Sequence, residues 1–261
     1  MSRTDAVSSG PAAGRDLALC RSVLYEALAL GFRPPTAGTC RRLTTGEAAA
    51  SLADAAAMID PGLDPAARDL AAAGPPAAPE VLAARHQLIF GHTARGLASA
   101  YETEYGQDTL FQKPQELSDI GGFLRAFGLA PAPGARDRID HISSELEFLA
   151  FLCRKEAHAI EIGDETMRER TRSAAGAFLR DHLGRFVPAF ARRVMGHDAR
   201  GFYGRLAALC LAFVRSECSR HGVPAGDETL HLRVPLDDLA PMACGVPGGC
   251  VPGPCGPSGG Q

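Results

Sequence analysis

Apolar residues recur every three or four positions through most of this chain, the spacing of one face of an α-helix. Leu17, Cys20, Leu24 and Leu28 mark the first such face, which should end at Gly31, before Pro34-Pro35. An alanine-rich helix is expected over 46–59, stopped by Pro61-Gly62. A short helix should start at Pro65, where proline suits the first turn, and end at Gly74-Pro75-Pro76. Val81, Leu82, Arg85, Leu88 and Ile89 predict another over 79–90, closed by Gly91.

The pattern then lapses. Residues 91–114 form the longest internal stretch without helical spacing, and they carry His92, Tyr101, Glu102, Glu104, Tyr105, Asp108 and Phe111. A loop of that length inside a helical domain is uncommon and is often functional. Leu117, Ile120, Leu124 and Phe127 resume the stripe over 116–127, with Gly128 as a stop and a proline–glycine connection at 130–135. A long helix is expected over 140–162, with Ile142, Leu146, Leu149 and Cys153 on one side. Asp164 suits the N-cap of the next, which should run to about Leu183. Helices over 188–195 and 202–221 complete the set, the last buried through Phe202, Leu206, Leu209 and Phe213. Period-two alternation is weak everywhere, and 230–234 is the one candidate strand. The fold class is all-α, a single-domain bundle of roughly eight to eleven helices. Its expected limits are 16–222, between an N-terminal arm at 1–15 and a tail at 223–261.

Composition adds limits rather than chemistry. The chain has 261 residues, 46% hydrophobic and 22% charged, ordinary for a globular protein. Net charge is -3, so bulk electrostatics offer nucleic acid no attraction. Lys113 and Lys155 are the only lysines. The first fifteen residues lack an apolar core of the kind found in signal peptides, and Leu206 to Val214 is far too short to span a bilayer. A cytoplasmic protein without stable membrane association is therefore expected, its thiols reduced. Cys20, Cys153 and Cys210 sit on apolar helical faces and read as core. Eleven of the last twenty residues are glycine or proline, a composition that builds no packed core.

The densest chemistry is Asp140-His141-Ile142-Ser143-Ser144-Glu145-Leu146-Glu147. Asp140 fits an N-cap, its carboxylate taking the Ser143 N–H, and its other edge could still face a partner. His141 and Glu145 stand one turn apart and could ligate a metal, with His182 or His92 as further ligands. The ExxH and HExxH pairings of helical metalloenzymes are both missing. Glu147 points away from Glu145 and reads as a solvated acid. The run Tyr101-Glu102-Thr103-Glu104-Tyr105 is either a surface segment anchored by half-buried aromatics or a recognition loop, since acids engage arginine bidentately. Cys244, Cys250 and Cys255 lack the CxxC pairing of structural zinc sites, leaving a metal or redox role as an alternative only. No nucleophile elbow, P-loop or dinucleotide fingerprint occurs, so the residues call for neither an enzyme nor a cofactor.

In order and spacing, several segments resemble the TorD/DmsD/NarJ family of molybdoenzyme maturation chaperones. These are Leu88-Ile89-Phe90-Gly91, Tyr101-Glu102-Thr103-Glu104-Tyr105, the run from Asp119 to Leu129, Asp140-His141 with Glu145-Leu146-Glu147-Phe148, and Phe178 to Leu183. The resemblance spans roughly residues 17 to 222. It implies a monomeric or homodimeric helical chaperone with no cofactor of its own. Its partner would be the catalytic subunit of a molybdopterin (DMSO-reductase superfamily) oxidoreductase, held through its N-terminal, often twin-arginine, leader until cofactor insertion and export. Carried over residue by residue, the implied peptide-binding positions are Phe90, Tyr101, Glu102, Asp140 and His141. Leu88, Glu104 and Tyr105 join them by chemistry: apolar surface for the leader's hydrophobic stretch, acid for its cations. The chain departs from the family in lacking tryptophan, which many relatives carry just before the tyrosine–glutamate pair. The acidic start of the long helix and the aromatic stretch upstream are expected to face each other across a cleft.

Overall fold

Every stretch with three-to-four apolar spacing is helical in the computed structural model, which describes residues 10–44, 46–72, 79–91, 96–106, 112–131 and 138–233. The helices are α1 (Pro11–Phe32), α2 (Ala37–Thr44), α3 (Gly46–Ile59), α4 (Asp64–Ala72), α5 (Pro79–Phe90), α6 (Gln112–Ala126), α7 (Ile142–Ile162), α8 (Glu165–Asp181), α9 (Leu183–Asp198) and α10 (Phe202–His221). Their number among the described residues falls in the expected range. No named strand occurs among those residues; of the candidate strand 230–234, residues 230–233 contribute only an isolated antiparallel bridge, Leu232 to Tyr105, and residue 234 lies outside the described residues.

Several boundaries differ for local reasons. Proline at the first position starts α1 at Pro11, inside the span read as an arm. Helix α2 is only eight residues long and mostly polar, and it lies where no helix is expected from the sequence. Helix α7 begins at Ile142 rather than Asp140, because His141 and not Asp140 is its N-cap. Helix α8 is capped by Asp164 as expected, its carboxylate accepting the Met167 N–H at 2.9 Å. Helix α9 starts at Leu183 and carries Pro188 within it, although proline suggested a start there. Proline leaves the Gly184 carbonyl without its helical donor. The Gly226 N–H supplies one from outside at 2.9 Å. That bond also places the chain after α10: Gly106 N–H reaches the His231 carbonyl, Arg233 N–H the Glu104 carbonyl, and the helical body does not end at 222.

Contacts between α1 and α7 run in opposite order along the two helices, from Arg21 with Glu156 to Arg33 with Glu147, so the pair is antiparallel. Helix α8 returns along α7 through Phe148 and Phe178, whose rings are 4.8 Å apart. The core fills with aromatic edges, Phe32, Phe90, Phe190 and Tyr203 in one group and Phe123, Phe148 and Phe178 in another. Cys153 and Cys210 are buried as expected, and burial pushes both thiols up, which keeps them inert.

Candidate functional site

Residues 138–142 turn into α7 and pair with the 100–105 segment. The Glu102 N–H donates to the Asp140 carbonyl at 2.9 Å, and the Ile142 N–H to the Ala100 carbonyl at 2.8 Å. Tyr101 and His141 therefore lie side by side, rings 5.0 Å apart. The two regions do meet, but as paired backbone rather than as walls of a cleft. His141 is buried, and its Nδ1 accepts the Ser143 N–H at 3.2 Å. That role requires the proton on Nε2.

Asp140 points inward instead of projecting into a groove. Its carboxylate is fully buried and accepts the Thr103 hydroxyl at 2.8 Å and the Thr103 N–H at 3.3 Å. Arg138 adds a bidentate pair, Nε at 2.9 Å and an NH2 at 2.8 Å. The same guanidinium stacks over the Tyr101 ring, 4.5 Å from its centre, and comes within 3.6 Å of Glu104. Glu104 also accepts Lys113 at 3.2 Å.

Behind Asp140 lies an acidic interior compensated from α6 and α9. Glu102, fully buried, accepts Arg185 at 2.7 Å and meets His182 Nδ1 at 3.0 Å. His182 Nε2 reaches Asp119 at 3.1 Å. Burial would lower this imidazole's pKa, but the bonds and charges of Glu102 and Asp119 outweigh it, and the pKa is raised. Glu116 bridges Arg185 at 3.1 Å and Arg233 at 3.2 Å. Glu145 sits beside Glu102 with neither carboxyl oxygen accepting a bond among the described residues. Burial first, then the charges of Glu102 and Asp140, hold its pKa well above the carboxylate range. The raised pKa favours the protonated, uncharged form of Glu145 in this acidic interior.

The other expected contacts scatter. Tyr105 is sealed inside, its hydroxyl donating to the Ser99 carbonyl at 2.8 Å. Phe90 belongs to the aromatic core, and Leu88 is exposed on α5. His141 and Glu145 serve different partners, and no group of three metal-competent side chains occurs among the described residues. His92, Cys244, Cys250 and Cys255 lie outside the described residues.

A groove of about 960 Å³ opens on the other flank of the α7 entry. Val23, Ala27 and Leu30 of α1 form one wall, Phe148 and Phe151 of α7 another, with Leu52, Leu124 and Leu129 closing the floor. Two ion pairs cross its rim, Arg33 with Glu147 and Arg154 with Glu26, so Glu147 is solvent-facing but not idle. Ile139 and Ser143 line this groove while Arg138 and Asp140 form the guanidinium contact, so the two features share one turn of chain. Sequence reasoning missed both the groove and Arg138. The available signal was an arginine two residues before an acid, at the entry to the long helix.

The chain is 28% identical over 138 residues to the chaperone protein TorD of Photobacterium profundum, covering 53% of this chain and 62% of the relative. It is 29% identical over 180 residues to the selenate reductase assembly chaperone protein of Thauera selenatis, covering 67% and 77%. It is also 29% identical over 177 residues to the chlorate reductase assembly chaperone protein of Ideonella dechloratans, covering 65% and 74%. The match thus spans about three-fifths of the TorD length. Residues 45–192 match the model of the nitrate reductase delta subunit family, more than half of the sequence, and the chain belongs to that family.

Proposed function

We propose that this chain is a cytoplasmic maturation chaperone for the catalytic subunit of a molybdopterin oxidoreductase, binding that subunit's N-terminal leader before cofactor insertion and export. Its relatives carry the names of a TorD chaperone and of selenate and chlorate reductase assembly chaperones, which supports the class of client. One observation carries the binding mode: an apolar groove adjoins a buried carboxylate that already holds a guanidinium. A leader offers an arginine pair followed by an apolar stretch, often helical when bound, so it needs an acid and a greasy trough in that order. Tyr101, Glu104 and Asp140 supply the first. The walls of α1 and α7 supply the second. His141, Glu102 and Tyr105 act from beneath, fixing the turn that presents them. Apolar contact supplies most of the affinity and the acids the selection.

The test is calorimetric titration of the purified protein with leader peptides of the molybdoenzyme catalytic subunits from the same genome. At least one should bind. Val23 is an exposed groove residue, so Val23→Asp should weaken that leader about tenfold while changing stability by less than about 0.5 kcal/mol. If none of the leaders binds, the proposal is wrong.

A further inference from the structure

Arg138 occupies an unusual position among the cations of the site. Its side chain is 43% exposed, whereas the carboxylate it grips is sealed at 0%. Arg185 and Arg233, which serve Glu102 and Glu116, are more deeply set. Every recognisable property of a guanidinium is answered around it. The planar fork meets both oxygens of Asp140, the face meets Tyr101, an NH2 donates to the Thr103 hydroxyl at 3.0 Å, and Glu104 adds charge at 3.6 Å. An ammonium could use the charge but neither the fork nor the stacking.

The cage also survives without its own cation. Asp140 keeps the Thr103 N–H and hydroxyl on one oxygen when Arg138 leaves, and the other oxygen, which Arg138 Nε serves, is left for an incoming guanidinium. The Arg138 carbonyl accepts the His141 N–H, and the Glu102 and Ile142 amides pin the flanking backbone. The side chain can therefore swing into solvent while the entry to α7 stays in place.

We infer that Arg138 is an internal stand-in for a guest arginine, and that the Asp140–Tyr101–Thr103–Glu104 cage is a guanidinium site an arginine of a partner polypeptide takes over by displacing it. That the partner is a leader rests on the reading above; the guanidinium chemistry rests on these contacts alone. One ion pair replaces another, so displacement favours only a ligand that brings further contacts, such as an apolar stretch lying in the adjoining groove. Arg138 thereby rejects isolated cations.

Thermal unfolding of the full-length chain with methylguanidinium as probe tests the cage. Arg138→Ala should gain melting temperature as methylguanidinium is added, and not with methylammonium. Wild type and Arg138→Ala/Asp140→Asn should show no such gain. Arg138→Gln serves as the second variant should the alanine form fold poorly. In the peptide arm, Arg138→Ala should bind an arginine-bearing leader about tenfold more tightly than wild type, with no gain for the same leader carrying lysines. Absence of a methylguanidinium-specific gain in both variants overturns the inference, even where wild type binds leaders. A specific gain with no leader binding by any form leaves the cage standing and removes the leader as its guest.

Discussion

At the residue scale, adjacent side chains in Asp140-His141 have opposite destinations. The imidazole turns back to cap α7, and the carboxylate turns in to Thr103 and Arg138. Residue type pointed to Asp140 as the cap, and His141 serves instead, because either side chain can accept the Ser143 N–H. Glu145 was legible as chemistry and not as burial. Its neighbours Glu102 and Asp140 converge on it only when the 100–105 segment folds over α7. Its raised pKa has a consequence for stability. Between the unfolded value and the raised folded one, the native state binds a proton the unfolded chain has released, so stability falls as pH rises, by about 1.4 kcal/mol per pH unit. His182, also raised, adds loss of the same sign as pH rises from its unfolded value through its folded one. Glu145→Gln keeps the shape of the side chain and removes one titration. Urea unfolding between acid and mildly alkaline pH should show the variant with a shallower decline, and more stable than wild type at the alkaline end. Parallel curves would mean that Glu145 titrates normally.

At the element scale, apolar spacing between strong breakers reads α3, α5 and α10 to their ends. It misplaces α9, because the carbonyl that Pro188 strands finds its donor at Gly226, beyond α10. No local signal announces a partner that distant. Glycine is required there by approach: a Cβ on Gly226 would lie 1.9 Å from the Arg185 carbonyl oxygen. Gly226→Ala must push the segment off α9, losing the bond to Gly184 and loosening the pairing of His231 and Arg233 with the 104–106 backbone. We expect a loss of about 1–3 kcal/mol in denaturant unfolding, the range for a forced backbone shift. Hydrogen exchange should show Gly106 and Arg233 amides losing protection while the middle of α7 keeps its own. Unchanged protection at both would mean the segment is held without this bond.

At the scale of the whole molecule, the groove is only as well shaped as the pairing of α1 with α7, and one buried ion network fixes that pairing. Arg21 of α1 donates to Glu217 of α10 at 2.6–2.9 Å and to Glu156 of α7 at 2.7 Å. Tyr25 and Arg220 add bonds to Glu217, and Arg172 of α8 reaches Glu156 at 3.1 Å. Three helices thus share one cation, α8 joining through Arg172, and nothing in the apolar pattern announced it, since Arg21 lies beside the Leu17–Cys20–Leu24–Leu28 stripe. Removing that cation strands two buried carboxylates, which costs about 3–5 kcal/mol when no partner remains. Tyr25, Arg220 and Arg172 do remain, so Arg21→Met should fall at the lower end, about 3 kcal/mol. Arg21→Met/Glu217→Gln should recover much of the loss, because the more deeply buried charge is gone with its partner. His221 supplies a readout that unfolding alone would not give. Its pKa is lowered by burial first and then by Arg21, whose guanidinium lies 3.2 Å from Nε2. In the folded variant the remaining Glu217 and Glu156 charges favour the imidazolium, so proton NMR titration should find His221 titrating at higher pH than in wild type. A destabilised variant with an unmoved His221 would place the cost of Arg21→Met in packing rather than in charge.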